Sequence, residues 1–157
     1  MDLNNPAEDA VEYPLGPALD FLQRIWQLNH ELESLSSRMQ KRFGITAQQR
    51  LMLRCIGKYP GMTAGQLAGL LRVDPGTVSA ALNRLELRGL LERRRQPRDQ
   101  RRSSLGLTAA GRALDKPVQG TVESVVERLL ASTPPDQLAA TTAVLEQLTT
   151  LLDAERP

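Results

Sequence analysis

Between Arg84 and Arg102 the chain sets eight arginines against three acids, Glu86, Glu92 and Asp99. That is a net +5 in a chain whose total is only +2. Arginine carries a planar, permanently charged fork that matches phosphate or carboxylate geometry. Just upstream, Gly76, Thr77, Ser79, Ala80, Asn83 and Arg84 fall on one side of a helical repeat. Small and hydrogen-bonding side chains of this kind suit close approach to base edges in a groove. Groups for catalysis are sparse by comparison. His30 is the single histidine, and no G-x-S-x-G, P-loop or G-x-G-x-x-G pattern occurs. One His and one Cys do not make a metal site. The sequence therefore offers no catalytic constellation, no cofactor and no metal.

The elements that must position the arginines follow from local signals. Thr63 with Gln66 reads as a capping box opening a short helix to Leu71, with Leu67, Ala68 and Leu71 on one face. Arg72-Val73 is a tight turn. Asp74 as N-cap and Pro75 at the first helical position open a second helix that runs to Arg88. Its inward face is Val78, Ala81, Leu82 and Leu85. Gly89 ends it. Leu90 to Leu107 then reads as a β-hairpin whose tip, Gln96 to Arg102, is nearly all polar. The order helix, turn, helix, basic hairpin predicts a winged helix-turn-helix, in which a basic wing meets phosphates and the minor groove beside the second helix.

The flanks read differently. Residues 1–14 are acidic and poor in apolar residues, and are expected to be a mobile segment. Leu15 to Phe43 is a long helix with two apolar stripes, one through Phe21, Ile25, Leu28 and Leu32, the other through Leu15, Leu19, Leu22 and Trp26. Two stripes suggest burial on both sides, as in an intertwined dimer. Thr46 and Gln49 cap a helix to Tyr59, with Leu51, Met52, Cys55 and Ile56 expected inward. Gly61-Met62 is placed to add a short third strand. Thr108 opens a helix to about Leu130, which Pro117 should kink or divide. Thr133-Pro134-Pro135 opens a last helix carrying Leu138, Leu145, Leu148 and Leu152. From Asp115 onward seven acids face three bases. Acidic ends and a basic middle fit termini that pair with another subunit while the middle faces a polyanion. The composition is 3% aromatic, so the core must be aliphatic. No run of about 18 apolar residues suggests a membrane span, and no signal peptide is visible. The single cysteine excludes an internal disulfide and fits a reducing cytoplasm. Cys55, on an apolar stripe, reads as a buried inert thiol.

The sequence resembles the MarR family of bacterial transcription regulators. The resemblance is carried by Gly44-Ile45-Thr46, Leu67-Ala68, Asp74-Pro75-Gly76-Thr77-Val78-Ser79 and the run from Leu85 to Leu91. It continues through the wing Asp99-Gln100-Arg101-Arg102 and Leu107-Thr108-Ala109-Ala110-Gly111. It implies that Arg101 enters the minor groove and that Asp99 holds it in place. It also implies that the first helix and the last two form a dimer interface. Relatives release DNA when a small, frequently aromatic acid binds between the dimerisation helices and the DNA-binding domain. Arg24, Trp26, Arg50 and Arg54 stand on helices placed to line such a pocket; the plainer reading is packing for Trp26 and solvated charge for the arginines.

These readings combine into a mainly α fold with a small β-wing. They divide the chain into a mobile segment 1–14, a dimerisation helix 15–43, a winged helix-turn-helix domain 44–111 and C-terminal dimerisation helices 112–157. The expected function is a homodimeric repressor of a palindromic operator in duplex DNA, released by a small-molecule effector, with no membrane association. Thr77, Ser79, Asn83 and Arg84 are the expected major-groove contacts. Arg95, Arg98, Arg101 and Arg102, with Asp99, are the expected wing contacts. The competing readings are a winged helix used only for protein–protein contact, which would bind DNA weakly and independently of salt, and an enzyme, for which no residue speaks.

Overall fold

A computed structural model describes residues 13–96 and 99–155, with the backbone alone for 95–96 and 99–102. Its elements in order are α1 (Pro17–Phe43), α2 (Ala47–Lys58), α3 (Ala64–Leu71), α4 (Pro75–Leu87), β1 (Leu91–Gln96), β2 (Asp99–Leu107), α5 (Ala109–Leu114), α6 (Val122–Ser132) and α7 (Pro135–Ala154). The chain forms two units, residues 1–34 and 35–157, with the boundary inside α1. Most of the expected mobile segment 1–14 lies outside the described residues.

The caps form where the sequence sets them. Thr46 accepts from the Gln49 amide and Thr63 from the Gln66 amide, and each glutamine side chain returns the bond, completing a capping box. Such a cap stabilises its helix by about 1 kcal/mol, because it satisfies backbone donors that have no partner within the helix. Asp74 accepts from the Thr77 amide at 3.0 Å, with Pro75 at the head of α4. Between α3 and α4, Arg72 takes a left-handed conformation, φ 51°. Its own N–H bonds back to Ala68 and Gly69, so α3 ends abruptly and α4 can start three residues later.

The core of the second unit is aliphatic, as the low aromatic content requires. Met52, Leu53 and Ile56 of α2, Leu67 and Ala68 of α3, Val78, Ala81, Leu82 and Leu85 of α4, and Leu91, Leu105 and Leu107 of the hairpin close on one another with Ile45 and Leu90. Each fully buried side chain of this size stabilises the fold by roughly 1.5–3 kcal/mol. The inward face of α4 agrees with its sequence pattern. That of α2 is rotated. Leu51 is exposed, Cys55 is only half-buried, and Leu53 takes the buried position. The 3.6-residue spacing admits either face, and contact with α3 and α4 selects the one carrying Met52, Leu53 and Ile56.

β1 and β2 pair antiparallel, with Leu91 opposite Leu107, Arg93 opposite Leu105 and a bulge between Arg95 and Gln96. The third strand shrinks to one bridge between Thr63 and Ser104, supported by Gly61 N–H to Leu105 O and Leu105 N–H to Met62 O. The helix expected from Thr108 to Leu130 is divided, ending at Leu114 and resuming at Val122, with Pro117 in the break. Thr121, fully buried, caps the new start by accepting from the Ser124 amide. In α7 no residue is buried, although Leu145, Leu151 and Leu152 are large and apolar. The N-terminal unit likewise exposes Leu19, Phe21, Trp26 and Leu28. Among the described residues, no helix is long and apolar enough to cross a membrane.

Candidate nucleic-acid interface

With Val78, Ala81, Leu82 and Leu85 turned into the core, the opposite side of α4 is left to solvent. Pro75, Gly76, Thr77, Ser79, Ala80, Asn83 and Arg84 are all exposed there. Thr77, Ser79, Asn83 and Arg84 thus share one face, with Thr77 and Ser79 in the first two turns. Only at the far end of the helix does a bulky side chain of α4 itself join that face, where Leu87 is 88% exposed one turn after Asn83. Arg84 has no hydrogen-bond or ion-pair partner among the described residues, which leaves its fork free for a ligand.

Asn83 is differently placed. Its Oδ1 accepts from Nη2 of Arg93 at 2.6 Å, and Nε of Arg93 lies 3.2 Å from Oε2 of Glu86. That second contact is an ion pair without an aligned hydrogen bond, since the Nε–H finds no acceptor in line. The cause is strand alternation. Leu91 and Arg93 point to the same side of β1, and that side faces the core and α4. Arg93 therefore joins the wing to the recognition face and holds one end of the Asn83 amide, leaving its NH₂ group to donate. Sequence reading counted Arg93 among the basic wing residues but missed this bond. Asn83 and Arg93 are ten residues apart on two elements, and only pairing of the hairpin against α4 brings them together. On the other side of β1, Glu92 and Arg94 pair at 2.5 Å, exposed to solvent.

The wing tip is described in part. The backbone of Arg95, Asp99, Arg101 and Arg102 lies in the two strands. Their side chains, and Arg98 entirely, lie outside the described residues.

The base of the wing is fixed by the Leu107 to Gly111 segment. Leu107 is buried, and the Thr108 hydroxyl donates to Gly89 O at 2.6 Å while accepting from the Gly111 amide at 3.1 Å. Gly111 packs directly on the Leu90 carbonyl, leaving no space for a Cβ. One threonine thus locks the end of α4 to the start of α5.

The four residues expected near an effector fall in two groups. Arg24 and Trp26 are exposed on α1 in the first unit. Arg50 and Arg54 lie on α2 in the second unit. The Arg50 side chain is 1% exposed, and each of its three nitrogens has a protein partner. The reading of Arg50 as solvated charge is thereby corrected, and its donors are already committed to the protein. Arg54 pairs with Asp115. His30 is exposed on α1. Burial pushes the Cys55 thiol upward in pKa, and nearby Lys58 acts more weakly in the opposite direction. Because the thiolate is the nucleophile, alkylation of Cys55 by iodoacetamide at neutral pH should run slower than that of a small free thiol. A rate equal to or above the free thiol would show an activated cysteine.

This geometry, a helix with an open polar face beside a basic two-stranded wing, can be set against known proteins. The MarR family pattern matches residues 45–103. An HTH-type transcriptional repressor of Mycobacterium tuberculosis is 30% identical over 105 residues, covering 67% of this chain and 76% of that protein. The chain belongs to the MarR family. The homoprotocatechuate degradative operon repressor of Escherichia coli is 28% identical over 111 residues, 71% of this chain and 75% of its own length. Among solved structures, Streptococcus pneumoniae FabT in complex with DNA superposes with a TM-score of 0.62 at 28% identity, covering 88% of this chain and 97% of FabT. The MarR pattern begins at Ile45 and ends at Ser103, so it spans α2 to α4, the recognition face, β1 and the first half of β2. The fold is that of a winged-helix regulator, mainly helical with a small antiparallel wing.

Proposed function

We propose that this MarR family member is a homodimeric transcriptional repressor that reads a palindromic operator in duplex DNA, with α4 in the major groove and the wing over the flanking phosphates and minor groove. One observation carries the reading: Thr77, Ser79, Asn83 and Arg84 share an uncovered face of α4, and Arg93 fastens that face to the wing. Base edges are met by the α4 face, and Arg84 is placed at its rim for a base or a phosphate. Arg95, Arg98, Arg101 and Arg102 meet the backbone or the minor groove, and Asp99 orients Arg101. The exposed apolar residues of α1, α6 and α7 pair with a second copy of the chain. A small aromatic or acidic effector releases the DNA; the E. coli relative is named for an operon that degrades homoprotocatechuate. The protein works in the cytoplasm and is not an enzyme, a reading supported by relatives that are named as transcription repressors.

The test is a salt titration on duplexes selected from random sequence. Each phosphate neutralised releases condensed counterions, so log K should fall with log salt at about −0.9 per contact, and roughly six contacts give a slope near −5. Arg98→Ala should lower the slope by about one and weaken all sequences alike. Asn83→Ala should keep the slope and narrow the gap between selected and scrambled duplexes by about 1–3 kcal/mol. A wild-type slope near zero rejects DNA binding and leaves protein–protein contact as the role of the winged helix.

A further inference from the structure

The break between α5 and α6 is held by guanidinium groups from another part of the chain. Arg50 of α2 is fully buried. Its Nε pairs with Oε1 of Glu123 in the first turn of α6. Its Nη1 donates to Leu114 O at 2.5 Å and its Nη2 to Lys116 O at 2.7 Å. One turn further along α2, Arg54 donates to the carbonyl of Asp115 and, at 3.0 Å, to its carboxylate. From the last turn of α1, Arg42 donates to Gln119 O at 3.3 Å.

The chemistry explains why arginine stands in these places. The last carbonyls of a helix have no intrahelical donor, and cations near a helix C-terminus are favoured. A planar fork can serve two carbonyls and a carboxylate from three separate nitrogens in a fixed plane, whereas an ammonium must aim its three donors from a single nitrogen. Gly57 permits the approach, because a Cβ there would run into the Asp115 carboxylate. Thr121, fully buried, donates to Val118 O at 2.8 Å and caps α6. The direction in which α6 leaves α5 is therefore set by side chains of α2, the helix that also packs on α3 and α4.

We propose that Arg50, acting through Glu123, is a positioning residue for DNA recognition. It fixes the angle between the part of the chain that carries α4 and the part that carries α6 and α7, and in the dimer that angle sets the separation of the two recognition helices. Arg50 touches no base; it selects the spacing of the two half-sites. The inference rests on the dimeric DNA-reading function proposed above. Operator half-sites lie on one face about one helical turn apart, so an added or removed base pair both shifts and rotates one of them. A rigid joint punishes that change, and a loosened joint tolerates it.

The experiment uses full-length protein and duplexes carrying the half-sites selected by the wild type, at the selected spacing and at one base pair more or fewer. The wild type should lose about tenfold or more in affinity on either altered duplex, the size expected of a mismatched contact. Glu123→Gln and Arg50→Met should reduce that ratio to about twofold while binding to a single half-site stays unchanged. Arg50→Lys should not restore the ratio, since an ammonium cannot reproduce the three-way fork. Glu123 is 29% exposed in its side chain, so Glu123→Gln decides the matter if Arg50→Met fails to fold. Sedimentation verifies that the variants remain dimers. If Glu123→Gln keeps the wild-type spacing ratio, the inference is overturned while the proposed function stands. A wild type that selects no duplex at all overturns both.

Discussion

Leu145→Glu combined with Leu152→Glu should convert the protein to a monomer and reduce its affinity for a palindromic duplex by about 10²–10⁴-fold, the gain normally supplied by linking two binding modules. Leu138, Leu145 and Leu152 recur every seven residues along α7, and all are exposed in the single chain, at 39%, 46% and 62%. A helix of twenty residues that buries none of them has no local reason to stay attached to its own core. In α6, Val125, Val126, Leu129 and Leu130 are exposed as well. Pairing of these stripes with a second copy removes them from water, and a carboxylate placed in such a dry contact costs several kcal/mol if it stays ionised. Sedimentation equilibrium gives the mass, and titration on whole and half operators gives the loss. Variants that remain dimeric would place the interface elsewhere. A dimeric wild type whose monomeric variants bind the whole operator with undiminished affinity would show that pairing contributes nothing to DNA binding.

Gly111→Ala should destabilise the protein by about 2–4 kcal/mol, at the upper end of what overpacking and strain produce. The added methyl would meet the Leu90 carbonyl, with Leu107 Cβ at 3.4 Å on another side. The obstacle is backbone at the base of the wing, so a rotamer change gives no relief. The response must be displacement of α5 from the end of α4, which also strains the Thr108 bond to Gly89 O. The glycine of the Leu-Thr-x-x-Gly motif is thus required by close approach; its backbone sits in an ordinary helical turn of α5. Chemical denaturation should show a lower midpoint with an unchanged slope. Ala110→Gly, at an exposed neighbour, serves as the control and should cost no more than about 1 kcal/mol. Equal midpoints for Gly111→Ala and the wild type would mean that α5 can move away freely.

The sequence by itself determined what depends on near neighbours along the chain. Thr46, Thr63 and Thr108 cap helices because a hydroxyl needs only the amide three residues on. Asp74-Pro75 starts α4 for the same reason, and the inward face of α4 follows from a repeat in which polar and apolar sides are unambiguous. The basic hairpin could be placed because turn residues and charge density mark it directly. Its second strand, however, begins at Asp99, inside the stretch read as the tip, because strand pairing and not side-chain polarity sets where a ladder ends. The tertiary structure decided everything that depends on which surfaces meet. On α2 two apolar faces compete, and packing against α3 and α4 exposes Leu51 and buries Leu53. Asn83 reads as a solvent-facing base contact until the hairpin folds back and Arg93 takes its Oδ1. Arg50 shows the limit most sharply. On a helix it reads as surface charge, and nothing within a turn of it suggests burial. Its acidic partner Glu123 lies 73 residues away, and the carbonyls that complete its shell exist only where α5 ends. A buried cation is tolerated only when such partners arrive together, and local spacing carries no record of when they do.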